Sequence, residues 1–140
     1  MNIKNLFKKK AKIILRQFNF FRKKQYIPDI LEHINIESTS ICNLKCKFCA
    51  YDKRDLNEVP LQTMDFELFK NITQQCLKIG YRNFGLTPVT GDVFMDKNIF
   101  EKLYYLDSLS NLEGYYFYTN FIALTDEKIE KLFKLKKLIN

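Results

Sequence analysis

Residues 33–49 read His33-Ile34-Asn35-Ile36-Glu37-Ser38-Thr39-Ser40-Ile41-Cys42-Asn43-Leu44-Lys45-Cys46-Lys47-Phe48-Cys49. The first five alternate polar and apolar side chains, as a short strand with one buried face does. The loop that follows carries three cysteines at C-x3-C-x2-C spacing. A loop can wrap several thiolates around one metal centre, which a rigid strand cannot, so the stretch reads as a strand that delivers a ligand-bearing loop from its carboxyl end.

Working outward from it, the same plan recurs twice. After a polar stretch from Asp52 to Thr63, Asp65 is a plausible N-cap for a helix whose apolar stripe is Phe66, Phe69, Ile72, Cys76 and Ile79 and whose stop is Gly80. Asn83 to Leu86 is a second strand, leading through Thr87 to Asp92 into a helix over Lys97 to Leu106, with Ile99, Leu103 and Leu106 along one side. Tyr115 to Tyr118 is a third strand, Thr119 to Leu124 a loop, and Thr125 the N-cap of a helix that buries Ile129, Leu132 and Leu135. Strand, loop and helix three times over predict a parallel α/β sheet. Ligands in such folds bind at the carboxyl ends of the strands, and the loops Ser38–Ala50, Thr87–Asp92 and Thr119–Ala123 leave from there.

Upstream the chain changes character. Of the 23 basic residues, nine precede Asp29, the first acidic one; the 14 that remain face 16 acidic residues, so the net charge of +7 belongs to the leader and the body carries −2. A folded domain without a basic stripe is not expected to grip nucleic acid. Ile3, Phe7, Ile14, Phe18 and Phe21 fall at helical spacing among lysines, which predicts a basic amphipathic helix in residues 1–28, ended by Pro28, ahead of a domain over 29–140. Such a stripe is most often buried against its own domain; the alternative is peripheral contact of residues 3–24 with an anionic membrane or a partner. No run of about 18 apolar residues reads as a spanning helix. Nor is there a secretory signal, since Lys12 and Arg16 break the only apolar stretch near the start. The expected location is the cytoplasm, where three clustered cysteines of the chain's four point to a metal site rather than a disulfide framework.

Three thiolates presented together suit a cubane cluster of four irons, leaving one iron without a protein ligand and open to a chelating molecule. The competing reading is a zinc site completed by His33 or Cys76. His33 precedes the loop on a strand, and Cys76 falls on an apolar helix stripe, where a free cysteine behaves as a small hydrophobe.

With Phe48 just before the last cysteine, Cys42-Asn-Leu-Lys-Cys46-Lys-Phe48-Cys49 resembles the hallmark of the radical S-adenosylmethionine (radical SAM) enzymes, and the resemblance runs from Ile36 to the C-terminus. It implies a 4Fe-4S cluster on Cys42, Cys46 and Cys49 whose unique iron binds the amino and carboxylate groups of S-adenosylmethionine, with backbone near Phe48 against adenine. Thr90-Gly91-Asp92-Val93 stands where the family has Gly-Gly-Glu-Pro, so the resemblance assigns Thr90, Gly91 and Asp92 to the methionine ammonium, Asp92 keeping the carboxylate one methylene shorter. Tyr118-Thr119-Asn120-Phe121 is similar to the family's Thr-Asn-Gly, which puts Asn120 beside the cofactor and Phe121 in the glycine's place.

The resemblance further implies a partial TIM barrel, the N-terminal portion of the family's core domain. A full barrel takes about 250 residues. Only three strand-helix units are legible, so truncation or completion by a partner chain is the expectation. The implied activity is reductive cleavage of S-adenosylmethionine to a 5′-deoxyadenosyl radical, with an electron from a flavodoxin- or ferredoxin-type donor and a substrate the residues do not name. The rival function is a non-catalytic iron-sulfur or zinc protein for electron transfer or binding, docked through its basic helix.

Overall fold

The alternation in His33–Glu37 becomes strand β1 (Ile34–Asn35), which lies parallel to β2 (Asn83–Gly85), itself parallel to β3 (Gly114–Tyr116). This arrangement comes from a computed structural model that describes residues 33–139 except 59 and 87–89, together with Lys10, Ala11, Ile14, Leu15 and Phe18. The sheet order is β1-β2-β3, with Ile34 opposite Phe84 and Phe84 opposite Tyr115. The ladder extends past the strands: Ile36 N–H donates to the Gly85 carbonyl at 2.8 Å and Leu86 N–H to the Tyr116 carbonyl at 2.8 Å. The expectation of a three-unit parallel α/β fold, a partial TIM barrel, holds.

The two faces of the sheet differ because side chains alternate across a strand. Ile36, Phe84, Leu86 and Tyr115 are buried with the helices. Asn35, Gly85 and Tyr116 form the opposite row, where the Tyr116 hydroxyl reaches across Gly85 to the Asn35 Oδ1 at 3.3 Å. A Cβ on Gly85 would sit 2.0 Å from that oxygen and 2.9 Å from the Tyr116 ring, so only glycine lets the contact form.

Three helices follow the strands: α1 (Phe66–Ile79), α2 (Ile99–Ser108) and α3 (Asp126–Phe133). Local chemistry sets their ends. Asp65 caps α1 by accepting from Leu68 N–H at 2.8 Å, Thr125 caps α3 by accepting from Lys128 N–H, and Gly80, at φ 121°, closes α1 in a conformation that side chains resist. Phe69, Thr73, Cys76 and Leu77 form the buried face of α1. Ile79 does not join it: at 3.6 residues per turn it lies roughly 80° from Phe69 around the helix, and it is exposed. Ile99, Leu103 and Leu106 of α2 are buried as the periodicity predicts.

The third unit departs most from its sequence reading. No residue of α3 is fully buried; Ile129 and Phe133 face outward, Leu132 is only partly covered, and Leu135 lies beyond the helix end. After α3 the chain turns back and starts a further parallel pairing, with Tyr115 N–H bonded to the Lys137 carbonyl at 3.0 Å and Ile139 N–H to the Tyr115 carbonyl at 2.8 Å. These residues are too short a run to show alternation.

Contacts divide the chain into Met1–Ile30 and Leu31–Asn140. In the first unit Lys10, Ala11, Ile14, Leu15 and Phe18 are helical and exposed. The remainder of the expected leader helix, with Ile3, Phe7, Phe21 and Pro28, lies outside the described residues. Among the described residues, no helix is long and apolar enough to cross a membrane.

One buried ion pair ties α2 to the loops above it. The Lys102 ammonium donates to Asp96 Oδ2 at 2.6 Å and to the Met64 carbonyl at 2.5 Å, with both side chains essentially inaccessible and the Phe69 ring 5.6 Å away. Removing one member of such a pair strands a charge in the core. Lys102→Met should therefore destabilise the fold by about 3 to 5 kcal/mol, read as a lower urea midpoint, and Lys102→Met with Asp96→Asn should recover part of the loss; an unchanged midpoint in the single variant would refute this account.

Candidate functional site

The loop after β1 is fixed at its entrance before it presents any cysteine. Ser40 N–H bonds the Gln62 carbonyl at 2.9 Å, Met64 N–H bonds the Ser38 carbonyl at 2.8 Å, and the hydroxyls of Thr39 and Thr63 meet at 2.9 Å, forming a short antiparallel clasp. Lys102, through the Met64 carbonyl, pins the outer half of that clasp. The loop's other support is Asp92, whose N–H donates to the Ile41 carbonyl at 2.9 Å, one residue before Cys42.

Cys42, Cys46 and Cys49 are free and half-buried. Backbone amides address two of the sulfurs: Leu44 N–H donates to Cys42 Sγ at 3.4 Å and Tyr51 N–H to Cys49 Sγ at 3.5 Å, while Cys49 N–H closes a turn onto the Cys46 carbonyl at 3.0 Å. Cys76 stands apart from them, a core residue of α1 whose thiol is pushed up by burial. His33 stands edge-on to Tyr116, ring centroids 6.2 Å apart. Among the described residues, no three His, Cys, Asp or Glu side chains are arranged to hold a single metal ion.

Phe48, between the second and third cysteines, is 95% exposed, so its ring is spent on no internal packing. Thr90, Gly91 and Asp92 follow β2. The Thr90 hydroxyl is buried and has no hydrogen-bond partner among the described residues, a cost of roughly 1 to 3 kcal/mol unless something else satisfies it. Residues 87–89 of the same loop lie outside the described residues.

Asp92 is the centre of the arrangement. Its side chain is 2% exposed. Oδ1 accepts from Phe94 N–H at 2.9 Å, and Oδ2 accepts both from the Thr119 hydroxyl at 2.7 Å and from Asn120 N–H at 2.8 Å. One carboxylate thus caps the turn after β2 and seizes the loop after β3. Asn120 extends the chain of contacts to the first loop, its Nδ2 donating to Asn43 Oδ1 at 2.8 Å and lying 3.9 Å from Cys42 Sγ. All three strand-end loops are joined through these two side chains. Phe121, where a glycine would be at ease, takes φ 65°, and its N–H bonds the Thr119 hydroxyl at 3.2 Å.

Sequence reasoning locates Cys42, Cys46, Cys49, Thr90, Gly91, Asp92 and Asn120 on these loops, and the fold brings the loops together. It misses Thr119 and Lys102. Lys102 carried a signal: a lysine at i+3 from Ile99, beside Leu103, interrupts the buried face of α2.

A family model described as the Radical SAM superfamily matches residues 36–140. Among solved structures, the crystal structure of BtrN in complex with AdoMet and 2-DOIA superposes with a TM-score of 0.65 at 21% identity, over 78% of this chain and 44% of that one. An open conformation of selenomethionine BtrN gives 0.61 at 22% identity, over 78% and 48%. The chain therefore spans less than half the length of these structures. No curated protein matches it.

Hydrogen bonds to a buried carboxylate contribute about 1.5 to 3 kcal/mol each. Asp92→Asn removes the charge and turns one acceptor oxygen into an NH2, which then faces either the Phe94 N–H or the Thr119 hydroxyl and Asn120 N–H. Backbone amide exchange at Phe94 and Asn120 should accelerate by about tenfold or more, while amides of α1 remain protected; unchanged exchange at both sites would show that Asp92 does not hold the loops.

Proposed function

The chain belongs to the radical SAM superfamily, and on that premise we propose that it binds a 4Fe-4S cluster through Cys42, Cys46 and Cys49 and reductively cleaves S-adenosylmethionine. The observation that carries the reading is the set of three free, half-buried cysteines on one clasped loop, two of them with backbone N–H groups directed at sulfur. That donor set suits the group: thiolates are the ligands of such clusters, and three of them leave a fourth iron for the cofactor. When bound, the cluster supplies one electron to the sulfonium, splitting S-adenosylmethionine into methionine and a 5′-deoxyadenosyl radical that abstracts hydrogen from a substrate.

The chain's own residues then have distinct tasks. Cys42, Cys46 and Cys49 hold the irons as thiolates, and the reducing cytoplasm in which we place the protein keeps them from pairing as disulfides. Thr90 offers a hydroxyl that lacks a partner among the described residues, and Gly91 lets backbone approach closely, so both suit the polar end of the methionine moiety. Asp92 has used three of its roughly four lone-pair sites on Phe94, Thr119 and Asn120, leaving one for an ammonium while its charge attracts it. Phe48 presents an uncommitted aromatic ring in keeping with backbone that lies against adenine. The electron comes from a one-electron donor of the flavodoxin or ferredoxin type. The basic leader, with Ile14 and Leu15 exposed, keeps as its alternative role peripheral contact of residues 3–24 with an anionic membrane surface or a partner. We treat residues 29–140 as the N-terminal part of a radical SAM barrel; the substrate and the active assembly go with the longer length of the related structures.

The decisive experiment is anaerobic reconstitution of the chain with iron and sulfide. Four irons and four sulfides per chain, and a cluster resonance that shifts when S-adenosylmethionine is added, are the expected results. Cys42→Ala should lose the cluster altogether. Stoichiometric zinc in place of iron, or a cluster whose resonance ignores S-adenosylmethionine, would overturn the reading in favour of a structural or electron-transfer site; formation of 5′-deoxyadenosine reports whether this chain alone completes the cleavage.

A further inference from the structure

The side chain of Asn120 is held in a single orientation by its neighbours. Its Oδ1 accepts from Ile122 N–H at 3.0 Å, which only the carbonyl end of the carboxamide can do. The opposite end must then be the amide nitrogen, so the usual ambiguity of an asparagine flip is absent here. Its backbone N–H is bonded to Asp92 Oδ2 at 2.8 Å, which anchors the residue in turn. Of the two hydrogens on Nδ2, one goes to Asn43 Oδ1 at 2.8 Å; the other is left for Cys42 Sγ at 3.9 Å.

Cys42 Sγ already receives Leu44 N–H from its own loop. Asn120 therefore stands as a second donor, delivered from a loop 78 residues further along the chain. The Asn120 carboxamide thus keeps one hydrogen for Cys42 Sγ after its bond to Asn43. A donor facing a ligating thiolate stabilises the added negative charge of the reduced cluster more than the oxidised state, and hydrogen bonds to sulfur are among the levers that set cluster potentials.

We propose that Asn120 is a positioning residue that tunes the cluster through Cys42: its carboxamide N–H, oriented by Ile122 and anchored by Asp92, makes the cluster easier to reduce. This inference rests on the reading that Cys42, Cys46 and Cys49 hold a 4Fe-4S cluster. It adds that the loop after β3 acts on the redox side of the reaction, whatever it also contributes to lining the cofactor pocket. Because Asn120 hangs from Asp92, a residue of the loop after β2, a disturbance at that loop reaches the cluster through two hydrogen bonds.

The test is a redox titration of the reconstituted full chain, without S-adenosylmethionine, followed by electron paramagnetic resonance. Asn120→Ala should make the cluster at least threefold harder to reduce, a midpoint shift of about 30 mV downward at 59 mV per tenfold for one electron, with iron and sulfide content unchanged. Asn120→Ser, which keeps a short oxygen for Ile122 N–H but withdraws the reach to Cys42, should shift it in the same direction. Midpoints of both variants equal to that of the unaltered chain would overturn the proposal. So would failure of both variants to load a cluster, since Asn120 would then be needed to build the site rather than to tune it. Failure of the unaltered chain to assemble a 4Fe-4S cluster is a different result, and sinks the cluster assignment itself.

Discussion

Everything at the carboxyl ends of the strands depends on one buried carboxylate. Asp92 is 2% exposed, and a charge so placed persists only where donors surround it. Its three donors come from two places: Phe94 in its own turn, and the hydroxyl of Thr119 and the amide of Asn120 on the loop after β3. Its own N–H meanwhile holds Ile41 at the threshold of the cysteine loop. The site is thereby pre-organised. Loops that would otherwise cost conformational entropy to order on binding are ordered by the energetic demand of a single buried charge.

A second tier supports the first from below. The Lys102–Asp96 pair sits four residues past Asp92 and reaches the Met64 carbonyl, while Met64 N–H clasps Ser38. Through this path α2 supports both the cysteine loop and the turn after β2, without its side chains entering the site. The arrangement suits the proposed reaction, in which the protein's task would be to hold three sulfurs and a charged cofactor in register. In that chemistry the reactive species belong to the bound groups, and geometry is what the polypeptide contributes.

The features legible in the amino-acid sequence are those whose chemistry is local. The caps Asp65 and Thr125, the stop at Gly80, the stripe of α2 and the spacing of Cys42, Cys46 and Cys49 each depend on residues a few positions apart. The motif positions Thr90, Gly91, Asp92 and Asn120 can be placed on loops for the same reason. What joins them cannot: the partners of Asp92 lie 27 and 28 positions away, and Asn120 meets Asn43 across 77. Lys102 shows itself only as a break in the apolar stripe of α2, and its partners, Asp96 and the Met64 carbonyl, lie outside that helix. The run Lys137–Ile139 is too brief to show the period of a strand, although it pairs with Tyr115 as one. The helix α3 misleads in the other direction, since Ile129 and Leu135 keep an amphipathic period without being buried.

The row Asn35, Gly85 and Tyr116 bears on how this sheet can change over generations. The tyrosine hydroxyl crosses the glycine to reach the asparagine, so each of the three positions is constrained by the other two. A larger residue at position 85 gains room only once both Asn35, whose Oδ1 would lie 2.0 Å from the added Cβ, and Tyr116, 2.9 Å from it, have changed. The three positions, on three different strands, should therefore drift together or not at all, a linked trait on the face of the sheet opposite the core it shares with α1 and α2.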